Sequence, residues 1–179
     1  MRAATFVKEL AKAAPSEDDL RAAGFSQVET EAFIASYKCI PRETNPSDNN
    51  GQDEVLILLR HWDTSRVEVG IVTFLNQPYE ENGKTYIGYV EQDNLVVLSN
   101  GEVVVEELGN SDHILWRVAV NGAHLLEALA VAARFSKDCM VTGDDAIDVS
   151  KVQVMAKRCS DAAGGPRYEK FFTMFFNAD

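Results

Sequence analysis

Histidine is the side chain best suited to moving protons near neutral pH and to holding a transition metal. The chain of 179 residues has three, at 61, 113 and 124. None stands at a helical spacing from a second ligand, and the one local pair, His61 and Asp63, reads as the solvated end of a hairpin. Asp144, Asp145 and Asp148 put three carboxylates into five residues. They lack the further ligands and the closing Glu of a calcium loop, so capping of a helix N-terminus accounts for them. Cys39, Cys139 and Cys159 are odd in number with no C-x-x-C, the pattern of unbridged thiols in a reducing compartment and of small buried apolar residues. Gly164-Gly165-Pro166 follows no strand and has no Lys, Ser or Thr behind it, which makes it a helix stop and not a phosphate loop. No nucleophile elbow, dinucleotide fingerprint or zinc-protease motif occurs. The sequence therefore predicts no catalytic residues, no cofactor and no metal.

The feature with functional content is electrostatic. Glu91, Asp93, Glu102, Glu106, Glu107 and Asp112 lie between Lys84 and Arg117 with no Lys or Arg among them. If the strands carrying them are adjacent, they form a negative field able to speed and orient docking of a basic partner. The alternative is that solvent-facing strand positions are charged in any acidic protein. With a net charge of −11 and a pI near 4.7, affinity for nucleic acid or for an anionic membrane is not expected. The N-terminal stretch MRAATFVKELAKAA has no apolar h-region, and no run approaches a membrane span, so a cytoplasmic protein is expected.

The elements that position these acids centre on Asn100-Gly101, which sits between two alternating apolar runs. A two-residue type I′ turn is expected there. It would set Ser99 opposite Glu102, Val97 opposite Val104 and Leu95 opposite Glu106. Val96, Leu98, Val103 and Val105 then form a uniformly apolar core face. On the other face Glu102 and Glu106 would surround the Val97–Val104 pair, giving an interface with an apolar centre and a charged rim. Should a helix of the same chain cover that face, Glu107 and Asp112 at the strand end become the contacts.

The first third of the chain reads as helical. Phe6, Val7, Leu10 and Ala13 or Ala14 make a stripe stopped by Pro15, Ser16 caps a short helix ended by Gly24, and Ser26 with Glu29 forms a capping box. Residues 41–53, rich in Pro, Asn, Asp and Ser, read as a flexible loop. Strands are expected at 55–62 and 67–75, with Gly70 marking a bulge or close approach, and then near 84–91, 94–99, 102–108 and 114–120; 78–83 between them reads as a loop. Asn121 caps a helix whose Leu125, Leu126, Leu129, Ala132 and Ala133 share a face. Another helix is expected near 145–159, and the aromatic tail 168–176 must dock on the body. The fold class is α+β: one domain over 1–179, with a single antiparallel sheet of about six strands and helices from both ends packed on it.

This succession resembles the SUKH superfamily of toxin-immunity proteins and fungal cell-wall regulators. The resemblance covers roughly 54–135 and is carried by the strand with Tyr86 and Tyr89 before the acidic turn Glu91–Asn94, then LVVLSNGEVVVEEL, then ILWRVAVNGAHLLEAL running from strand into helix. The family's usual N-terminal Leu-Pro-x-x-Tyr segment is absent. The resemblance implies a non-enzymatic immunity protein that binds and neutralises a basic toxin domain, in the bacterial case commonly a nuclease. The rival expectations are a small enzyme whose polar residues converge only in three dimensions, and a structural or adaptor subunit.

Overall fold

A six-stranded antiparallel sheet runs in simple meander order and curls as a half-barrel. Its strands are β3 (Glu68–Val69), β4 (Val72–Glu81), β5 (Lys84–Val90), β6 (Asp93–Val97), β7 (Val103–Glu106) and β8 (Ile114–Ala119). The computed structural model describes residues 1–43, 52–111, 113–142 and 149–177. Asp112 and the cluster Asp144, Asp145 and Asp148 lie outside them, as does most of the expected loop at 41–53. A second, two-stranded sheet pairs β1 (Ile40–Pro41) with β2 (Trp62–Asp63).

The two Asn-Gly pairs make different turns. Asn82 and Gly83 have φ of 51° and 73° and join β4 to β5 by the two-residue turn that needs both values positive. This extends β4 through Pro78 to Glu81, where a loop was expected. At Asn100-Gly101 only Gly101 has positive φ, 87°. The Gly101 N–H donates to the Leu98 carbonyl, and the Leu98 N–H donates to the Glu102 carbonyl. Three residues, Ser99 to Gly101, thus form the loop, the second commonest hairpin solution. The added loop residue shifts the expected register by one: Val97 faces Val103, Val96 faces Val104, and Leu95 faces Val105. Because side chains alternate, the shift moves β6 relative to β7 by one face. The core face is Leu95, Val97, Val103 and Val105, all buried in the main cluster, and the expected Val97–Val104 pair does not exist.

Residues 55–62, expected as a strand, fall in the helix α4 (Glu54–His61) except for Trp62, which begins β2. A continuous apolar run is ambiguous between the two structures. Here Asp53 decides it, since its Oδ1 accepts from the Val55 N–H at 2.9 Å and starts a helix whose Val55, Leu58 and Leu59 share one buried side. The other oxygen, Oδ2, accepts from the Gly122 N–H at 2.9 Å, at the start of α5 (Gly122–Thr142). A Cβ on Gly122 would stand 1.8 Å from Asp53 Oδ1, so one carboxylate fits against both helix starts only because residue 122 has no side chain. Asn121 caps α5 as expected, its Oδ1 accepting from the His124 N–H at 3.0 Å.

The remaining helices follow the sequence closely. They are α1 (Ala3–Ala13), α2 (Glu17–Ala22), α3 (Gln27–Ala35), α6 (Val149–Ala163) and, after a 3-10 turn at Pro166–Tyr168, α7 (Glu169–Asn177). Ser16 and Ser26 form reciprocal capping boxes with Asp19 and Glu29. These bonds hold both carboxyls below the usual carboxylate range. Phe6, Leu10, Leu125, Leu129, Phe172 and Phe175 meet the sheet's core face in one cluster. At Gly70, φ 57°, the Phe175 ring occupies the space a side chain would take, which is the close approach expected there.

Candidate functional site

The opposite face of the sheet is where the acids were expected to sit. Its centre is a small cluster of Tyr86, Val96 and Val104, flanked by Leu75, Leu98 and Ile114, and no residue packed in it comes from a helix. Glu106 and Glu102 do share this face with Val104, but both are buried and neither forms a rim. Lys84 Nζ lies 2.6 Å from Glu106 Oε1 and also donates to the Ser111 carbonyl. Lys84 is on β5 and Glu106 on β7, two strands that stand about 10 Å apart across β6. The pair spans that gap because the curl draws opposite corners of this face together. Glu106 Oε2 has no hydrogen-bond partner.

Glu102 is held from three directions. Arg117 Nη1 donates to Oε2, Arg167 Nη2 lies 2.8 Å from Oε1, and the buried Tyr168 hydroxyl donates to Oε1 at 3.4 Å. Burial and the Glu102 carboxylate raise the Tyr168 phenol above its ordinary value. The two bases that bound the acidic run in sequence, Lys84 and Arg117, thus fold back onto it. Glu102 and Glu106 carry an internal polar network, so these two acids of the six are not part of an exposed rim.

Of the other expected contacts, Val97 lies in the main core and Val104 at the centre of the small cluster. Glu107 is half-exposed at the end of β7, with its Oε2 3.0 Å from His113 Nδ1 and 3.2 Å from Asn110 Nδ2. Asp112 belongs to the residues outside the description.

The exposed part of this face is aromatic, a feature the acid count did not bring out. Tyr79 on β4 is 47% exposed and stacks on Tyr86 of β5, with ring centroids 4.7 Å apart and planes 3° from parallel. Tyr89 shares the face, opposite Thr73 and Asn94. Burial raises the Tyr86 phenol, and the nearby Glu106 carboxylate adds to the shift. The sequence signal was available: Tyr86 and Tyr89 fall on one side once the irregularity between Tyr86 and Gly88 is allowed for. Glu81, beside Lys84 at the hairpin end, is an exposed acid close to this stack.

The groups weighed for chemistry stay apart. His124 Nδ1 bonds Asn121 Oδ1 at 2.8 Å beside a helix start, His113 pairs with Glu107, and the His61 ring lies edge-on to Trp62. Among the described residues no three His, Cys, Asp or Glu side chains are placed to hold a metal ion. Burial pushes the Cys39 and Cys159 thiols up to about 12, far from the thiolate state a nucleophile needs. One polar cavity, of about 420 Å³, opens between α4 and the β4–β5 hairpin, and Arg42, Gln52, Arg60, Glu80 and Thr85 contribute to its walls. Arg42 Nε and Gln52 Oε1 are buried without partners. No helix among the described residues is long and apolar enough to cross a membrane.

Compared with models of known protein families, with curated proteins and with solved structures, the chain matches none. The site has to be read from its own geometry.

Proposed function

We propose that the protein is a non-enzymatic binding protein that docks a basic partner protein on the Tyr79 face of its sheet, in the manner of an immunity protein neutralising a toxin domain. The observation that carries this reading is Tyr79: a large aromatic ring, half-exposed, supported from beneath by Tyr86 on a face whose apolar cluster is built from sheet residues. Aromatic anchors of this kind dominate binding energies, because they bury much area at little conformational cost. The charged rim is Glu81 and Glu107, both accessible, in place of Glu102 and Glu106. The overall charge of −11 suits a basic partner, which it would attract at long range. The resemblance to SUKH immunity proteins adds the toxin-domain class of partner.

The test is affinity capture from the native host, followed by titration of the purified partner. Tyr79→Ala should weaken binding by about tenfold or more, as truncation of an aromatic hot spot does. Glu81→Lys with Glu107→Lys should slow association and flatten its dependence on salt. A partner whose affinity and association rate ignore all three substitutions rules out this face. A second reading, a small-ligand or enzyme site, has one specific support: the unpaired Arg42 Nε and Gln52 Oε1 beside the 420 Å³ cavity. Turnover of a substrate by the isolated protein, abolished by Arg42→Met, would replace the binder with that reading.

A further inference from the structure

The Tyr79–Tyr86 stack leaves one ring surface unused. The two rings lie 3° from parallel with centroids 4.7 Å apart, so Tyr86 covers one side of the Tyr79 ring. The opposite side is turned away from Tyr86, and Tyr79 remains 47% exposed. β3 pairs with β4 only at Val72 and Thr73, so it does not extend beside Tyr79. Among the described residues no second ring stacks on Tyr79 and no cation lies over it.

A carboxylate stands next to it. Tyr79 and Glu81 are two positions apart on β4, opposite Tyr86 and Lys84, so they share a face at about 7 Å along the strand. Glu80 between them points to the other side and lines the cavity against α4. Burial raises the Tyr79 and Tyr86 phenols, and the Glu81 carboxylate is among the further causes of both shifts, as a charge close to both hydroxyls must be. Glu81 is exposed, and its side chain forms no hydrogen bond or ion pair with a described residue. The cation opposite it, Lys84, is already neutralised by Glu106 at 2.6 Å. Glu81 is therefore the uncompensated charge beside the stack. Arg117 stands in the same row as Tyr79, four strands away, and shares Glu102 with Arg167. That is about 19 Å along the sheet, whereas exposed charges act within about 8 Å at physiological salt.

We propose that the Tyr79 ring and the Glu81 carboxylate together receive an arginine side chain of the basic partner. The guanidinium continues the stack, lying flat on the free side of Tyr79, and turns its N–H edge to Glu81, which accepts from it. A planar, delocalised and weakly hydrated cation suits both surfaces at once. An ammonium is drawn by the same carboxylate but has no plane to lay on the ring and gives up its water less readily, so arginine is preferred to lysine. An aromatic or aliphatic anchor would cover the ring and leave Glu81 unpaired at its border. The proposal rests on the Tyr79 face being the docking surface, and it adds which side chain of the partner that face reads.

The test is a displayed library of random dodecapeptides, selected on the immobilised full-length protein and counter-selected on Tyr79→Ala. The retained clones should share an arginine at one aligned position. In the tightest of them, made as a free peptide, exchanging that arginine for lysine should weaken binding by about two- to fivefold. Exchanging it for citrulline, planar but uncharged, should do the same. Glu81→Gln should weaken the arginine peptide by up to about fivefold, the range of an exposed ion pair, and leave the citrulline peptide unchanged. Tyr79→Phe should keep the affinity because the ring face persists, and Tyr79→Leu should lose about tenfold. Amide spectra unchanged outside 72–90 show that both variants are folded. Clones that need Tyr79 but carry lysine, an aromatic or an aliphatic residue at the aligned position overturn the arginine assignment and leave the docking face standing. An equal effect of Glu81→Gln on the arginine and citrulline peptides overturns the pairing. Absence of any clone that needs Tyr79 overturns the proposal, and the response of the captured native partner to Tyr79→Ala then decides the docking face separately.

Discussion

Removing the ammonium of Lys84 should cost more than removing the carboxylate it neutralises. The Glu106 side chain is 0% exposed and that of Lys84 is 22% exposed, with the two 2.6 Å apart. In Lys84→Met the hydrocarbon stem stays, and a buried carboxylate whose Oε2 already lacks a partner loses the one ion facing it. Breaking a buried pair in this way costs about 3–5 kcal/mol. The Lys84 end touches water, and water can follow the vacated ammonium inward, so about 3 kcal/mol is expected. For a chain of this length that is a fall in Tm of roughly 6–12 °C. Glu106→Gln instead leaves a lysine that still bonds the Ser111 carbonyl and can turn toward solvent. A loss of about 1–1.5 kcal/mol, one ordinary hydrogen bond, is expected there. The double substitution Lys84→Met with Glu106→Leu should recover most of the loss, because an apolar pair suits the neighbouring Tyr86, Val96 and Val104. Urea unfolding followed by circular dichroism and by tyrosine fluorescence measures all three, and coincidence of the two probes supports the two-state treatment. If Lys84→Met costs under about 0.5 kcal/mol, or less than Glu106→Gln, the carboxylate is hydrated and the burial argument fails.

Gly122→Ala should destabilise by about 2 kcal/mol, since its Cβ would displace the Asp53 carboxylate from two helix starts at about 1 kcal/mol per cap. The same substitution made in Asp53→Ala protein should cost far less, and equal costs in both backgrounds would show that the clash is relieved some other way. Leu129→Ala should cost about 2–5 kcal/mol because Leu129 is fully buried in the main cluster, and a loss below half a kcal/mol in urea would place α5 outside the core. The capping carboxyls of Asp19 and Glu29 are held below their unfolded values, so they stabilise the fold above those values and stop doing so as pH falls through the lower folded ones. The stability difference between wild type and Asp19→Ala/Glu29→Ala should therefore be constant from pH 7 to 5 and shrink below about pH 4. A difference that persists at pH 2 would assign the effect to packing.

The helices were legible because their ends are written in local chemistry: Ser16, Ser26 and Asn121 all cap as their positions imply. The antiparallel meander was legible from turn residues and alternation, although its six strands are reached differently from the expectation: 55–61 is helix, and the strand expected at 67–75 is two, β3 and β4. Two features were not. Residues 55–61 are apolar almost throughout, and only the Asp53 carboxylate, reaching Val55 from one side and Gly122 from the other, makes them a helix. Asn100-Gly101 permits both a two-residue and a three-residue loop, and the choice decides which valines face the core. The shorter loop would have buried Val96, Leu98, Val103 and Val105 together; the longer one buries Leu95 and Val97 with Val103 and Val105, an equally apolar set. The sign of the site was hidden for a related reason. Counting acids between Lys84 and Arg117 treats those two bases as boundaries, whereas the curl of the sheet and the bend into β8 make them the partners of the acids they enclose.

The carboxylate of Asp53 also acts as a sensor of completion. Its bond to the Gly122 N–H joins points 69 residues apart, and the elements between them are α4 and both sheets apart from β1. Neighbouring strands of the meander can form one after another at little loop-closure cost, but the Gly122 N–H reaches its acceptor only when the last strand has brought the chain back. That amide should consequently exchange with deuterium at the rate set by global opening, alongside the slowest amides of β6 and β7, although it sits at a helix end where amides ordinarily exchange fast.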